Sequence, residues 1–236
     1  MAQNILIIGA SKGLGKGLAQ GLLSQANKLF TVARTKFDLE KIEKSQISKI
    51  TEINCDLSQT KNLSHIYKAI GDVPLDLIIY NAGVWENVSF ANETDETLEK
   101  IINVNLTSAI LILKNLLPNL KKSQKANVIL IGSTAGLENS GSLGVSYVAS
   151  KFGLRGLSYS LRENLRNDKI GVTVINPGGM ATDFDFTDKI EKVQEKYGYK
   201  KIPVQDIVQT IQWIVSLSKA TCPKEIDLPS MLDTDV

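Results

Sequence analysis

The sequence is poor in the residues from which metal sites and disulfide frameworks are built. Among its 236 residues there are two cysteines, Cys55 and Cys222, and one histidine, His65. Neither cysteine has other ligand residues at metal-binding spacing. We therefore expect two small buried thiols, a surface imidazole and no metal site.

The chain also lacks an excess of charge of either sign. Its 27 Lys+Arg residues nearly balance 25 Asp+Glu, which leaves a formal net charge of +2. No basic block recurs with interleaved aromatic residues, as a surface for nucleic acid would require. The composition therefore argues against nucleic acid and against an anionic membrane as partners.

Long hydrophobic runs are missing as well. No apolar stretch approaches the ~20 residues that cross a bilayer. The run Asn4–Ile8 is short, is bounded by Gly9 and has no cationic leader before it, so it predicts a first strand rather than a signal peptide. We expect a soluble, cytoplasmic protein.

Short apolar runs alternate with helical patterns along the whole chain. This alternation is typical of an α/β protein with one doubly wound parallel sheet that is buried on both faces. The predicted strands are Asn4–Ile8, Leu29–Ala33, Ile50–Asn54, Leu75–Tyr80, Asn127–Ile131, Val172–Ile175 and Glu225–Leu228. The predicted helices are Leu14–Ser24, Asp38–Lys44, Asn62–Ile70, Asp95–Leu117, Tyr147–Arg166 and Val204–Leu217.

We predict a single domain over residues 1–236, because no linker or internal repeat divides the pattern. The charged stretch Asp183–Pro203 is the exception. It has only a weak helical signal, around Thr187–Tyr197, and is predicted to be a mobile insertion on the substrate side.

A glycine-rich turn joins the first strand to the first helix. Gly9, Gly13 and Gly15 stand in the run Gly-Ala-Ser-Lys-Gly-Leu-Gly, with the helix starting near Leu14. Glycines at such a turn let the backbone approach a diphosphate, which the helix N-terminus then binds through free N–H groups. The turn predicts a dinucleotide site.

The residue after the second strand bears on the choice of dinucleotide. An acidic side chain there would bind the adenosine ribose and select NAD(H), but this chain has Arg34. Arg34, together with Lys12 of the glycine turn, is suited to bind a 2′-phosphate. We therefore predict NADP(H) in preference to NAD(H). The alternatives are that both are solvated surface cations, and that Asp38 competes for the ribose rather than capping the next helix.

The ends of two further strands border the crevice in which we expect the dinucleotide to bind. Asp56, after the third strand, is suited to accept a hydrogen bond from the adenine amino group or, equally, to cap the following turn. Asn81-Ala82-Gly83 follows the fourth strand, next to the point where the strand order reverses. This small, polar turn leaves room for the cofactor.

Tyr147 and Lys151 are the candidate proton-transfer pair. Four residues apart on a predicted helix, they lie on one face. A phenol normally titrates near pH ~10, and we expect the lysine ammonium and an oxidised nicotinamide to lower that pKa. Ser133, after the fifth strand, is suited to polarise the same substrate oxygen.

Other polar and glycine positions complete the predicted site. Asn105 is a polar residue in an apolar helical stretch, where a buried amide needs partners. Pro177, Gly178 and Thr182 follow the sixth strand, and the glycine would let the nicotinamide approach with Thr182 near its carboxamide.

The order and spacing of these motifs resemble the short-chain dehydrogenase/reductase family over essentially the whole chain. The motifs that carry the resemblance are the glycine turn, Asn81-Ala82-Gly83, Asn105, Ser133, Tyr147-x-x-x-Lys151 and Pro177-Gly178. The resemblance implies a Rossmann-like domain and an enzyme that interconverts a carbonyl and an alcohol by hydride transfer. It implies that Tyr147 is the general acid–base, Ser133 orients the substrate, Lys151 also holds the nicotinamide ribose, and Asn105 positions a relay water. The cofactor-binding set that it implies is Gly9, Ser11, Lys12, Gly13, Leu14, Gly15, Arg34, Asp56, Leu57, Asn81, Ala82, Gly83, Tyr147, Lys151, Pro177, Gly178 and Thr182.

Two departures from the family pattern are visible. The interval from Ser133 to Tyr147 is one residue longer than in many members, which leaves Thr134 as the alternative to Ser133, although Gly136 favours Ser133. The segment Glu225–Pro229 lacks the glycine pair that often follows the last strand. It resembles the shorter reductases.

The sequence also bears on the oligomeric state and on functions other than catalysis. Family members commonly pair through their long helices, and a stripe of small residues, Ala149, Gly153, Gly156 and Ser160, predicts a homodimer or homotetramer. The alternative functions are a non-catalytic NADP-binding sensor or scaffold, and a sugar epimerase with a transiently used cofactor. The candidate lining of an apolar substrate pocket is Trp85, Leu137, Met180, Phe184 and Phe186.

Overall fold

The computed structural model describes residues 3–37, 42–86, 88–138 and 144–233. Its strands are β1 (Gln3–Ile8), β2 (Ala26–Ala33), β3 (Ile50–Asn54), β4 (Leu77–Tyr80), β5 (Asn127–Ile131), β6 (Gly171–Pro177) and β7 (Glu225–Leu228). They form one seven-stranded sheet in the order β3-β2-β1-β4-β5-β6-β7, and every neighbouring pair is parallel. The predicted fold class is confirmed.

Helices cover both faces of the sheet. They are α1 (Gly13–Leu22), α2 (Lys44–Ile47), α3 (Ser64–Ile70), α4 (Asp95–Ile102), α5 (Ser108–Lys121), α6 (Val145–Leu165), α7 (Ile190–Tyr197) and α8 (Val204–Ser216). The predicted helix Asp38–Lys44 falls mostly on residues 38–41, which lie outside the described residues; the described part beside them contains the four-residue α2.

Two hydrophobic cores lie on opposite faces because side chains alternate along each strand. Leu6 and Ile8 of β1 face a core shared with α3, α5 and α6. Ile5 and Ile7 face the core shared with α1 and α8. Of the thiols expected to be buried, Cys55 is buried and Cys222 is half-buried, while His65 is exposed on α3 as expected.

The predicted single helix Asp95–Leu117 is interrupted in the structure. A π-helical segment, Asn103–Thr107, separates α4 from α5. The whole stretch Asp95–Lys121 has 27 residues and by length and composition alone is apolar enough to cross a membrane, contrary to the expectation from the sequence. Its apolar side packs on the sheet through Ile112 and Leu116, as in the core helix of a globular domain.

The segment Asp183–Pro203 contains α7, which agrees with the weak helical signal. Its end is paired with the strand-like stretch after β6: Ala181 N–H donates to the Ile202 carbonyl and Ile202 N–H to the Gly179 carbonyl, both over 2.9 Å. An edge-to-face contact between the Phe184 and Tyr197 rings, with centroids 6.2 Å apart, ties the start of the segment to α7.

Candidate active site

The predicted site residues meet at one edge of the sheet. β1 pairs with β2 on one side and with β4 on the other, so the chain reverses its direction of winding at β1. The loops that follow β1, β4, β5 and β6 all leave the carboxyl edge there, since the strands are parallel. Ligands of doubly wound proteins bind at such a switch point.

The glycine turn leaves no room for side chains. Gly9 and Gly13 have φ angles of 87° and 52°, which L-residues rarely adopt. A Cβ on Gly15 would lie 1.8 Å from the Gly9 carbonyl oxygen, and one on Gly9 would lie 2.7 Å from the Ala82 nitrogen. The Asn81 amide fixes this contact by donating to the Gly9 carbonyl over 2.8 Å. The backbone of the turn is therefore exposed to a ligand without side chains in between, and we call this turn the glycine cradle.

A cavity of about 340 Å³ opens beside this cradle. Ser11, Lys12 and Gly13 line one wall, and Thr182 and its neighbours up to residue 186 line the other. A Cβ on Gly13 would lie 3.1 Å from the Thr182 Cβ, so the loop after β6 covers the N-terminus of α1. An ion pair between Lys16 and Asp185, 3.0 Å long, joins the two walls.

A second cavity, of about 230 Å³, lies at the ends of β2 and β3. Thr35, Lys36 and Asn54 are among its lining residues, and Lys36 is a cation that the sequence analysis did not single out. Arg34 is exposed beside it and its carbonyl accepts a hydrogen bond from the Asn54 amide over 2.8 Å. Lys12, which we expected to share one phosphate with Arg34, lines the cavity at the glycine turn, whereas Arg34 is next in sequence to residues that line this second cavity.

The residues after β3 have mainly local roles in the structure. Asp56 accepts a hydrogen bond from the Ser58 N–H over 3.1 Å, which is the turn-capping alternative. Leu57 is 6% exposed and belongs to the core on the α3 side. Leu14, in the first turn of α1, is likewise buried, in the other core.

Tyr147 stands in the first turn of α6, opposite the end of β5. Its phenol is next to the Ser133 hydroxyl, which acts to lower the pKa of the phenol. That hydroxyl accepts a hydrogen bond from the Ala135 N–H over 3.1 Å and so caps the short 3-10 turn Thr134–Gly136. Thr134, the alternative to Ser133, begins this turn. The structure therefore pairs Ser133 with the tyrosine.

The pKa of Tyr147 is shifted in the direction opposite to our expectation. Burial raises the pKa of this phenol, and the Ser133 hydroxyl opposes that rise only in part. The expected lowering by Lys151 is wrong for these side chains because desolvation of the phenolate outweighs the other influences on it. Any lowering has to come from a further positive charge.

Lys151 lies beneath the tyrosine, one turn further along α6. Its side chain is 4% exposed, its Nζ donates to the Ile131 carbonyl over 3.0 Å, and that atom is 5.5 Å from the centre of the Tyr147 ring. Burial lowers the pKa of the amine to about 8. Gly83 lies directly above it, since a Cβ there would be 3.6 Å from Nζ.

Asn105 lies within the π-helical segment and is 1% exposed. Its Oδ1 accepts from the Val84 N–H over 2.8 Å, while its Nδ2 donates to the Val84 carbonyl over 2.9 Å and to the Ser150 hydroxyl over 3.0 Å. The amide thus joins the loop after β4 to α6, next to Lys151. Ser150, which the sequence analysis missed, carried no signal beyond its place in the run before Lys151.

The loop after β6 closes the other side of the site. Pro177 ends the strand, and the Gly178 N–H donates to the Leu228 carbonyl of β7 over 2.9 Å. A Cβ on Gly178 would lie 2.4 Å from an Asp233 carboxylate oxygen and 3.3 Å from the Pro229 Cα. The stretch after β7 therefore packs against the predicted nicotinamide subsite.

The predicted apolar lining is not assembled into one pocket. Phe186 lies against Gly21 of α1, where a Cβ would be 2.9 Å from its ring, and Met180 packs against the same core. Phe184 makes an edge-to-face contact with Tyr197, and Trp85 is 67% exposed. Aromatic side chains next to the site thus serve packing as well, which sequence spacing cannot distinguish.

The match to known proteins agrees with this geometry. The family model described as short chain dehydrogenase matches residues 3–192. The chain is 31% identical over 198 residues to the 3-dehydrosphinganine reductase TSC10B of Arabidopsis thaliana, and this match covers 82% of the chain but 59% of the relative's length. It is 33% identical over 184 residues to a rhamnolipids biosynthesis 3-oxoacyl-[acyl-carrier-protein] reductase of Pseudomonas aeruginosa, with 73% and 71% of the two chains covered.

A solved structure supports the fold independently. The crystal structure of a metagenomic short-chain oxidoreductase in complex with NADP superimposes with a TM-score of 0.77 at 24% identity, and the match covers 98% of this chain and 99% of the other. Because the family model spans most of the sequence and the fold agrees, the chain belongs to the short-chain dehydrogenase/reductase family of oxidoreductases.

Proposed function

We propose that this protein is an NADP(H)-dependent carbonyl reductase, or alcohol dehydrogenase in the reverse direction, with Tyr147 as general acid–base. The observation that carries the proposal is the position of the Tyr147 ring, whose centre is 5.5 Å from the buried Lys151 amine and whose phenol is next to the Ser133 hydroxyl. The three groups stand at the sheet edge that also holds the glycine cradle. A sensor would have no use for such a set.

The proton chemistry belongs to the protein. In reduction, Tyr147 gives its phenolic proton to the carbonyl oxygen while the Ser133 hydroxyl donates a hydrogen bond to the same oxygen. In oxidation, the phenolate removes the alcohol proton. Burial raises the pKa of Tyr147, so the neutral phenol is available as the proton donor that reduction requires. Acid–base catalysis of this kind contributes about 10²–10⁴-fold in rate.

The residues of the cradle fit a nicotinamide dinucleotide. Gly9, Gly13 and Gly15 have no space for a Cβ or have φ angles that favour glycine, and Lys12 stands beside them with N–H groups of α1 for the diphosphate. Lys151 would hold the nicotinamide ribose. When bound, the cofactor supplies or accepts the hydride, and its oxidised ring carries a positive charge that favours the phenolate.

A preference for NADP(H) rests on cations at the adenosine end. Arg34 follows β2 directly, where no acidic side chain stands, and Lys36 lines the adjoining cavity. Guanidinium and ammonium groups bind a phosphate dianion through charge-assisted hydrogen bonds. The solved relative with bound NADP is consistent with this preference.

We propose a 3-oxoacyl compound as the substrate class to test first. One reported relative is named as a 3-oxoacyl-[acyl-carrier-protein] reductase, and the other is named as a reductase of 3-dehydrosphinganine. The exposed rings of Trp85 and Phe90, in the loop after β4, offer apolar surface for an acyl chain. We further propose that the chain acts in the cytoplasm as a single catalytic domain, with the segment Asp183–Pro203 on the substrate side, and as a homo-oligomer.

The experiment is an NADPH-oxidation assay with a short 3-oxoacyl thioester and a panel of ketones and aldehydes. Tyr147→Phe is the test variant. Tyr67→Phe is the matched control, since its phenol donates to the Leu111 carbonyl, outside the site. We expect turnover in the wild type and in the control, and a loss of at least 10²-fold in Tyr147→Phe. NADPH binding without turnover of any carbonyl would instead favour the sensor function, and activity retained in Tyr147→Phe would exclude its acid–base role.

A further inference from the structure

Tyr80 is a completely buried tyrosine at the end of β4, directly before Asn81. Its hydroxyl donates to the Val104 carbonyl over 2.5 Å and lies 2.5 Å from the Ser108 hydroxyl. Burial raises the pKa of the phenol far above neutrality, so it remains a hydrogen-bond donor at any pH at which the protein is active.

The Val104 carbonyl needs such a donor because of the π-helical segment. In an α-helix the Ser108 N–H would bond the carbonyl four residues back, that of Val104. Here it bonds the Asn103 carbonyl, five residues back. The Val104 carbonyl therefore lies within hydrogen-bond distance of two side-chain hydroxyls, that of Tyr80 and that of Ser108, the latter at 3.0 Å. Each hydroxyl has one proton, so one hydroxyl donates to the carbonyl and the other donates to the first hydroxyl, 2.5 Å away. A buried carbonyl without a partner is strongly unfavourable.

The next residue after Val104 is Asn105, whose amide holds Val84 and Ser150 beside Lys151. Its orientation depends on the extra residue in the π turn. Successive residues of an α-helix are about 100° apart around the axis, so a turn that relaxed to α geometry would carry Asn105 away from these partners. Helical interruptions of this kind occur frequently at functional sites.

We propose that Tyr80 is a positioning residue for catalysis, whose hydroxyl holds the π turn open by serving the Val104 carbonyl and thereby fixes Asn105 against Val84 and Ser150. The assignment of a catalytic consequence rests on the function proposed above. Tyr80 also fills space between β4 and α5. The variant Tyr80→Phe keeps that packing and removes only the hydroxyl.

Tyr67→Phe is the matched control. The Tyr67 hydroxyl donates to the Leu111 carbonyl of α5 over 3.3 Å, so this variant also removes a phenolic donor from a carbonyl of the same helix, but outside the π turn. The variants Tyr80→Phe and Tyr67→Phe are each compared with the wild type in kcat, in KM for NADPH and in the amide spectrum of uniformly ¹⁵N-labelled protein. The Asn105 side-chain signal is identified by its absence from Asn105→Asp.

We expect Tyr80→Phe to lower kcat about tenfold, to change KM for NADPH less than twofold, and to shift the Asn105 side-chain amide signal. The control should change none of the three. Unchanged kcat and an unmoved Asn105 signal in Tyr80→Phe would overturn the proposal, as would equal effects of the two variants. If the wild type turns over no carbonyl, the proposed function fails while the spectrum still tests the structural part.

Ser108 provides a second pair of variants should Tyr80→Phe fold poorly. Ser108→Thr keeps a hydroxyl near the Val104 carbonyl, whereas Ser108→Ala removes it. The proposal requires that Ser108→Ala lowers kcat and shifts the Asn105 side-chain signal. It also requires that Ser108→Thr keeps the wild-type kcat and the wild-type position of that signal. The same behaviour in the two variants would contradict it.

Discussion

Lys151 Nζ donates a hydrogen bond to the Ile131 carbonyl over 3.0 Å and so attaches α6 to the carboxyl end of β5. The amine is kept in a nearly dry position, where burial lowers its pKa to about 8 from the ordinary 10.5. Such a difference corresponds to about 3 kcal/mol of unfavourable burial at neutral pH. The burial of this amine beside Tyr147 is therefore a cost to stability.

We expect Lys151→Met to abolish activity and to raise the free energy of unfolding at pH 7. The gain in unfolding free energy should be about 1–2 kcal/mol. It is smaller than the cost of burying the charged amine, because the variant also loses a hydrogen bond that contributes about 1 kcal/mol. The unfolded chain binds more protons than the folded one between pH 8 and 10.5, so wild-type stability should rise with pH in that window. The variant lacks this rise, and its advantage should disappear by pH 10.5.

Urea unfolding at several pH values measures this difference, with Lys61→Met as the control at an exposed lysine. An equal gain in the control, or a gain that does not shrink above pH 8, would show that desolvation of Lys151 is not the cause.

We expect Gly15→Ala to impair cofactor binding. The new Cβ would lie 1.8 Å from the Gly9 carbonyl oxygen and 2.7 Å from the Asn81 amide nitrogen. The glycine turn has to move, because a backbone atom cannot step aside as a flexible side chain can. We expect Kd for NADPH to rise at least tenfold, with a loss of about 1–3 kcal/mol in stability from overpacking.

Titration of NADPH fluorescence measures that Kd. Gly156→Ala is the control, since nothing lies within 4 Å of a Cβ at that helical position. Wild-type affinity in Gly15→Ala would mean that the turn is not the diphosphate site.

We expect Arg34→Asp to change cofactor preference. A carboxylate after β2 repels a 2′-phosphate and accepts hydrogen bonds from ribose hydroxyls. The ratio of kcat/KM for NADPH to that for NADH should fall at least tenfold. Lys28→Asp makes the same charge change at an exposed residue near the other end of β2 and should leave the ratio unaltered. The same ratio in wild type and Arg34→Asp would remove Arg34 from the phosphate site.

We expect the protein to be a dimer or tetramer that pairs through α6. Gly156 and Ser160 are exposed there, and Phe152 beside them is 41% exposed. Gly153, which we placed on the same stripe, contacts Leu106 of its own chain, with 2.6 Å from a Cβ to the Leu106 side chain. Gly156→Arg should dissociate the assembly.

Sedimentation velocity measures the assembly, and Ser216→Arg introduces the same side chain at an exposed position of α8 as the control. A monomeric wild type, or an undissociated Gly156→Arg, would place the interface elsewhere or remove it.

Some features could be predicted because they depend on local sequence. The alternation of apolar runs and helical patterns predicted all seven strands, with ends that differ by a few residues, such as β6 starting at Gly171 rather than Val172. Strand ends in a parallel sheet share one edge, so Ser133, Asn81 and Gly9 were placed together from their order along the chain. The pairing of Tyr147 with Lys151 followed from helical spacing alone.

Other features depend on contacts that spacing does not contain. The π turn at Asn103–Thr107 has no signature in the apolar pattern, and its donor, Tyr80, comes from a strand more than twenty residues earlier. Burial of the Tyr147 phenol, which raises its pKa, was not part of the sequence analysis because burial is a property of the packed site. Phe186 lines the cavity beside the glycine turn, but the packing of its ring against Gly21 of α1 was not visible from spacing.

By itself, the sequence determined the parallel sheet, its winding and the kinds of side chain at its carboxyl edge, because periodicity and strand order are encoded locally. Only the tertiary structure decided how dry Lys151 is, which hydroxyl meets the Tyr147 phenol and which groups satisfy the Val104 carbonyl. Desolvation and hydrogen bonding are set by atoms that come together from distant parts of the chain, so they appear only after the chain has folded.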